Sequence, residues 1–190
     1  MTVRVMLISP AVNAALREAR FEGDAPLDEA GARGAAAVAA AGGVPGADRH
    51  VRSPSRRCGG TAAALGVEAR AEPVLADWDM GRWRGLRLSD VGAVEPDAVS
   101  AWLADPSAAP HGGESLLDLI ARAGTALDSL GGADGRLLAV AEPAVVRAAL
   151  VHALRLPVEA FWRLDVAPLS LTELSGRSGR WNLLCGRPLS

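Results

Sequence analysis

Apolar residues are distributed along this chain in two rhythms. Val3 to Ile8 is an almost unbroken apolar run with β-branched members, stopped by Ser9-Pro10. Arg136 to Ala141 repeats that pattern and stops at Glu142-Pro143. Short runs of this kind between turn residues predict buried strands. A helical rhythm follows each. Ala14 to Arg20 predicts a short helix, and Asp24-Ala25-Pro26-Leu27-Asp28 supplies turn and cap chemistry. An Ala-rich helix is expected from Leu27 to about Ala41, ended by Gly42-Gly43. Arg49 to Arg52 predicts a short strand, and Pro54 opens a helix running to Gly66.

Glu72 to Leu75 is the next strand candidate, followed by a charged loop from Asp77 to Gly85 that carries Trp78 and Trp83. Ser89 to Val94 and Pro96 to Leu103 read as short helices, and Asp105 to Gly113 as a loop. Positions 116, 117, 119, 120, 123 and 127 are apolar, which predicts an amphipathic helix over Glu114 to Leu130. Ala144 to Leu154 and Pro157 to Trp162 are further helices. Leu169 to Leu174 and Arg180 to Leu184 pair as a terminal hairpin across Gly176 to Gly179. Strands alternating with helices predict an α/β domain of three layers, a central and mostly parallel sheet flanked by helices. The stretch from about residue 78 to 113 reads as a lid or insertion within one domain spanning residues 1–190.

Composition narrows the chemistry. The 190 residues fit one domain, and 49% hydrophobic content suffices for a full core. A net charge of −2 gives no general attraction to nucleic acid or to an anionic membrane. Every basic residue other than histidine is Arg, so Schiff-base and lysine-nucleophile mechanisms are excluded. Cys58 and Cys185 lie far apart, which fits a reduced pair and a cytoplasmic protein. No apolar stretch approaches the ~20 residues that would span a bilayer. No zinc pattern, Walker loop, dinucleotide fingerprint or Gly-x-Ser-x-Gly elbow is present, so neither cofactor nor metal is expected.

Five stretches in order carry a resemblance. They are Arg20-Phe21-Glu22-Gly23 with Pro26 to Gly31, Ser53 to Ala62, Gly81-Arg82-Trp83-Arg84-Gly85, Gly112-Gly113-Glu114-Ser115, and Val166 to Leu174. Together they resemble the histidine phosphatase superfamily, of phosphoglycerate mutase-like fold, over residues 3 to about 175. The resemblance implies an Arg-His-Gly motif at the end of the first strand, whose histidine takes the phosphoryl group. It also implies a second histidine after a later strand, two phosphate-binding arginines and a carboxylic acid that protonates the leaving group. Here Ser9 stands where the first Arg would be, Pro10 where the nucleophile would be, and Ala11 where the Gly would be. Glu142 stands at the second histidine, and only Arg57 and a carboxylate at Asp77 persist.

The resemblance therefore implies the fold without the phosphohistidine chemistry. The expected role is a ligand- or partner-binding protein, with a small molecule, another protein or a second copy of the chain in a homodimer as candidate partners. The alternative is a repurposed enzyme that uses Glu142 and Asp77 for acid–base chemistry, such as isomerisation, dehydration or cyclisation. Asp79 and Glu114 would lie near that pair. Ser9, Arg57, Trp78, Trp83, His111 and Glu114 are the expected ligand contacts. Arg57 without its phosphate would be a buried cation lacking a partner. Glu142 is expected to take the place of the phosphate and to pair with it.

Overall fold

The structure, a computed structural model, describes residues 3–132, 134–177 and 179–185. Four strands of its sheet run parallel. They are β1 (Val3–Ile8), β2 (Arg49–Arg52), β3 (Arg70–Ala71) and β4 (Arg136–Val140). β5 (Leu171–Arg177) lies antiparallel to β1, and β6 (Arg180–Leu183) antiparallel to β5. The order across the six-stranded sheet is β3-β2-β4-β1-β5-β6. β1 and β4 are central, with Val5 opposite Leu137 and Ile8 opposite Val140.

Alternation along these strands separates two cores. Val5, Leu7, Leu137 and Ala139 face one side, where they pack with the helices α6 (Leu116–Leu130) and α7 (Pro143–Leu154). Met6, Ile8, Leu138 and Val140 face the other side, against Ala35 of α2 (Glu29–Ala40) and Cys58 and Ala62 of α3 (Arg56–Ala64). Helices therefore cover both faces, and the central strands β1 and β4 are apolar but for their Arg4 and Arg136, because neither face meets water there. The expected α/β architecture is the one observed.

Three elements differ from their sequence expectation. The strand expected over Glu72 to Leu75 lies earlier, at Arg70–Ala71, and Pro73–Leu75 is a 3-10 turn. Proline has no N–H for a ladder, so pairing ends before it. The first helix, α1 (Ala14–Arg17), stops short of Arg20 because Ala19 adopts a left-handed φ of 49°. The Pro157 helix is a 3-10 segment over Val158–Arg163. In the terminal hairpin, residue 178 lies outside the described residues.

The segment between residues 78 and 113 contains the helices α4 (Leu88–Val94) and α5 (Pro96–Ala104) and carries much of one core. Trp78, Met80, Trp83, Val91 and Trp102 are all buried against the α6 side of the sheet. Trp78 and Trp102 stack at 5.4 Å, and Phe21 and Trp83 also at 5.4 Å. Two glycines set how this segment folds back on itself. A Cβ on Gly81 would lie 2.2 Å from the His111 carbonyl, and one on Gly113 2.0 Å from the Asp79 carbonyl. Only glycine permits that approach, and the Arg82 N–H then donates to His111 and the Glu114 N–H to Asp79. No helix among the described residues is long and apolar enough to cross a membrane.

Candidate functional site

The loops leaving the carboxyl ends of β1, β2 and β4 meet, as an open α/β sheet predicts. The Ser53 N–H donates to Val140 and the Ala141 N–H to Ile8, which draws the three strand ends together. Ser55 then caps α3, its hydroxyl accepting the Cys58 N–H at 3.1 Å. That cap starts the helix and sets Arg57 and Cys58 in its first turn.

Glu142 is the N-cap residue of α7, yet its side chain does not cap that helix. It reaches instead to the start of α3. Its Oε2 accepts from Nη1 of Arg57 at 3.1 Å, and its Oε1 from the Ser55 hydroxyl at 2.8 Å. The Cys58 thiol adds a longer contact of 3.4 Å. The carboxylate thus sits at a helix N-terminus with a guanidinium beside it, an arrangement suited to an anion. Nε of Arg57 donates to the Ala11 carbonyl at 2.8 Å, fixing the guanidinium plane. Burial pushes the Glu142 carboxyl upward, opposed by Arg57 and by the bonds from Ser55 and Cys58. Burial, with the Glu142 charge beside it, pushes the Cys58 thiol well up, so it is no thiolate at neutral pH.

Ser55, which donates to Glu142, also lines a cleft of about 390 Å³, walled further by Asp77, Trp78, Glu22, Asp24, Asp79 and Arg84. Four acidic side chains and one guanidinium line it. The Asp77 carboxyl is half-buried, and one oxygen accepts the Trp78 N–H at 2.8 Å. Burial first, then the Glu142 charge, pushes its pKa up to about 8, so at neutral pH it is largely a proton donor.

Three expected ligand contacts lie elsewhere, and Glu114 borders a hollow beside the cleft together with Asp77 and Asp79. Ser9 is fully buried, its hydroxyl donating to the Ala167 carbonyl and accepting the Ser170 N–H at 3.0 Å. It ties β1 to the start of β5 and does not face the cleft. Trp83 is fully buried and stacks on His111 at 5.2 Å, so the aromatic cluster beneath the cleft claims both rings. Nδ1 of His111 accepts the Gly113 N–H, and burial lowers its pKa, leaving a neutral structural imidazole. Glu114 forms a two-oxygen pair with Arg122, at 2.8 and 2.7 Å. Trp78 does line the cleft, and its indole N–H donates to the Glu114 carbonyl at 2.7 Å.

Sequence reasoning passed over Ser55 and Arg122. Ser55 carries a weak signal as a cap residue before Arg56-Arg57. Arg122 carries none, because its role is entirely tertiary. From α6 its guanidinium holds the carbonyls of Val74, Ala76 and Asp77, and so fixes the loop that presents Asp77.

The sequence profile of the histidine phosphatase superfamily (branch 1) matches residues 11–186. This chain belongs to the histidine phosphatase superfamily. The matched region begins directly after Ser9-Pro10. Among superfamily members, a glucosyl-3-phosphoglycerate phosphatase of Mycobacterium tuberculosis is 33% identical over 156 residues, 70% of each chain. The solved structure of a mycobacterial hydrolase superposes with a TM-score of 0.84 at 30% identity, covering 97% of this chain and 98% of that one. A vanadate complex of mycobacterial glucosyl-3-phosphoglycerate phosphatase superposes with a TM-score of 0.83 at 31% identity, covering 95% and 96%. The superfamily's phosphoglycerate mutase-like fold is thus the fold of this chain.

Proposed function

We propose that this superfamily member binds a ligand or partner in its cleft and does not carry out phosphoryl transfer through histidine. One observation carries the reading: the Glu142 carboxylate is bound by Arg57 and Ser55 at the start of α3, where an anionic oxygen would otherwise sit. By the sequence resemblance, Arg57 is a phosphate-binding arginine and Pro10 stands at the nucleophile. Proline offers neither a nucleophilic atom nor a backbone N–H. A phosphate dianion approaching Arg57 would have to displace Glu142 and pass the acidic walls of the cleft. Two like charges ~4 Å apart at an effective dielectric of ~20 repel by about 4 kcal/mol. Phosphoryl transfer depends on positioning and charge neutralisation, and this cleft disfavours both. The name of the mycobacterial relatives describes hydrolysis of a phosphate ester; on this reading the present chain has left that activity.

A second reading is favoured by the open cleft in front of Asp77. A carboxyl held largely protonated at neutral pH can act as a general acid on a neutral or cationic substrate. The test between phosphatase and non-phosphatase is phosphate release from phosphomonoesters, glucosyl-3-phosphoglycerate included. No release above the rate of a heat-denatured control supports the proposal, and turnover of any one ester overturns it.

A further inference from the structure

The segment between residues 78 and 113 is closed at its base by two backbone stretches that cross, residues 79–82 and 111–114. The Arg82 N–H donates to the His111 carbonyl at 3.0 Å, and the Glu114 N–H to the Asp79 carbonyl at 2.8 Å. The His111 side chain, 1% exposed, belongs to this crossing. Its Nδ1 accepts the Gly113 N–H at 3.0 Å, so Nδ1 carries no proton and the neutral ring keeps its hydrogen on Nε2. Nε2 is buried and has no acceptor among the described residues. Trp83 lies 5.2 Å from the ring, and Trp102 lies 5.8 Å beyond Trp83.

This arrangement suits only the neutral ring. A proton added at Nδ1 would set two donors, the ring N–H and the Gly113 N–H, against each other. It would also place a cation in a site sealed from water. Two charged groups act on the ring: Asp79 favours protonation and Arg82 opposes it. Arg82 itself pairs with Glu95 and donates to the Pro110 carbonyl, while its guanidinium lies 5.9 Å over the Trp83 ring. Glu114 is taken by Arg122, Asp118 of α6 is taken by Ser115, and Trp102 of α5 brings no charge. Burial is the largest influence and holds the imidazole below its ordinary pKa.

We infer that His111 is a proton-sensitive clasp: on protonation its ring lets go of the Gly113 N–H, and the crossing of residues 79–82 with 111–114 loosens. The cleft feels this through Glu114. Its N–H holds Asp79 and its carbonyl accepts the Trp78 indole N–H at 2.7 Å, and both Asp79 and Trp78 line the cleft. The sign follows from linkage. The closed clasp binds a proton less tightly than an opened ring of ordinary pKa 6.5. The clasp is therefore whole above pH 6.5 and weakens as pH falls from there toward the closed-state value. Asp77, with a pKa of about 8, stays protonated throughout that window and contributes no change. The clasp acts whatever the cleft binds and whether or not it carries out chemistry.

The test is amide hydrogen exchange of the whole chain, followed by NMR at about pH 7.5 and about pH 5 and corrected for the intrinsic pH dependence of exchange. The inference predicts that protection of the Arg82, Gly113 and Glu114 amides falls at the lower pH, by at most about tenfold per pH unit because one proton separates the two forms. The amides of β1 and β4 should keep their protection. His111→Asn supplies an oxygen to accept the Gly113 N–H but takes up no proton, so it should remove the dependence. His50→Gln and His152→Gln should retain it. Unchanged protection in the parent, an equal loss in a folded His111→Asn variant, or an equal loss across β1 and β4 would overturn the inference. So would a His111 ring that titrates at or above pH 6.5 in the parent protein, a reading that needs no variant.

Discussion

Nη1 of Arg57 lies 3.1 Å from Oε2 of Glu142, and both side chains are sealed from water, at 5% and 1% exposure. The two residues come from the starts of different helices, α3 and α7, so the pair joins both sides of the site. A buried ion pair adds little net stability, but deleting one member leaves a charge in a dry place. Glu142→Gln and Arg57→Met are each expected to destabilise the fold by about 3–5 kcal/mol. The double variant should cost less than the sum, with a coupling well beyond the ~0.5 kcal/mol of independent sites. A double-mutant cycle in urea measures this.

Asp77 gives a pH signature of definite sign. Burial and the Glu142 charge raise its folded-state pKa from 3.8 to about 8. The folded chain therefore holds this proton more tightly than the unfolded chain. The stability contributed is fully present below pH 4 and is lost as pH rises through 8. Asp77→Asn, which cannot ionise, should match the parent at pH 4 and exceed it at pH 8. The gain should be on the order of 1–2 kcal/mol, allowing for the water that reaches a half-buried carboxyl. Urea midpoints at the two pH values read it out.

Arg122 bears the loop that presents Asp77. Arg122→Met would leave the Glu114 carboxylate and three carbonyls without their shared donor, and should destabilise the fold by about 2–3 kcal/mol. Arg122→Lys should recover less than half of that, because an ammonium cannot reproduce the planar fork that spans two carboxylate oxygens and three carbonyls. Chemical denaturation of the two variants checks the order.

Which parts of this molecule can be read from sequence follows from the range of the forces involved. β1 and β4 are legible because burial on both faces demands a continuous apolar run. The amphipathic stripe of α6 is an equally local signal. β3 is displaced because the apolar Val74-Leu75 outweighs Pro73 in a reading by pattern, whereas in space the missing N–H decides. At the site, Arg57, Asp77 and Glu142 are legible through the resemblance, and so is their juxtaposition. Ser9, Trp83 and His111 are not assignable in that way. Their side chains turn into the protein through contacts with Ala167, Phe21 and Gly113, which no local pattern encodes. Arg122 is invisible for the same reason, its partners lying 8 to 48 residues away.

The most direct test of the account is whether the protein can hold a phosphoryl group. The purified chain is incubated with an excess of glucosyl-3-phosphoglycerate or another phosphomonoester, quenched rapidly, and its intact mass measured before and after acid treatment. The account predicts an unchanged mass, because Pro10 cannot accept a phosphoryl group and the Glu142 carboxylate already occupies Arg57. A stoichiometric, acid-labile phosphoenzyme would contradict it.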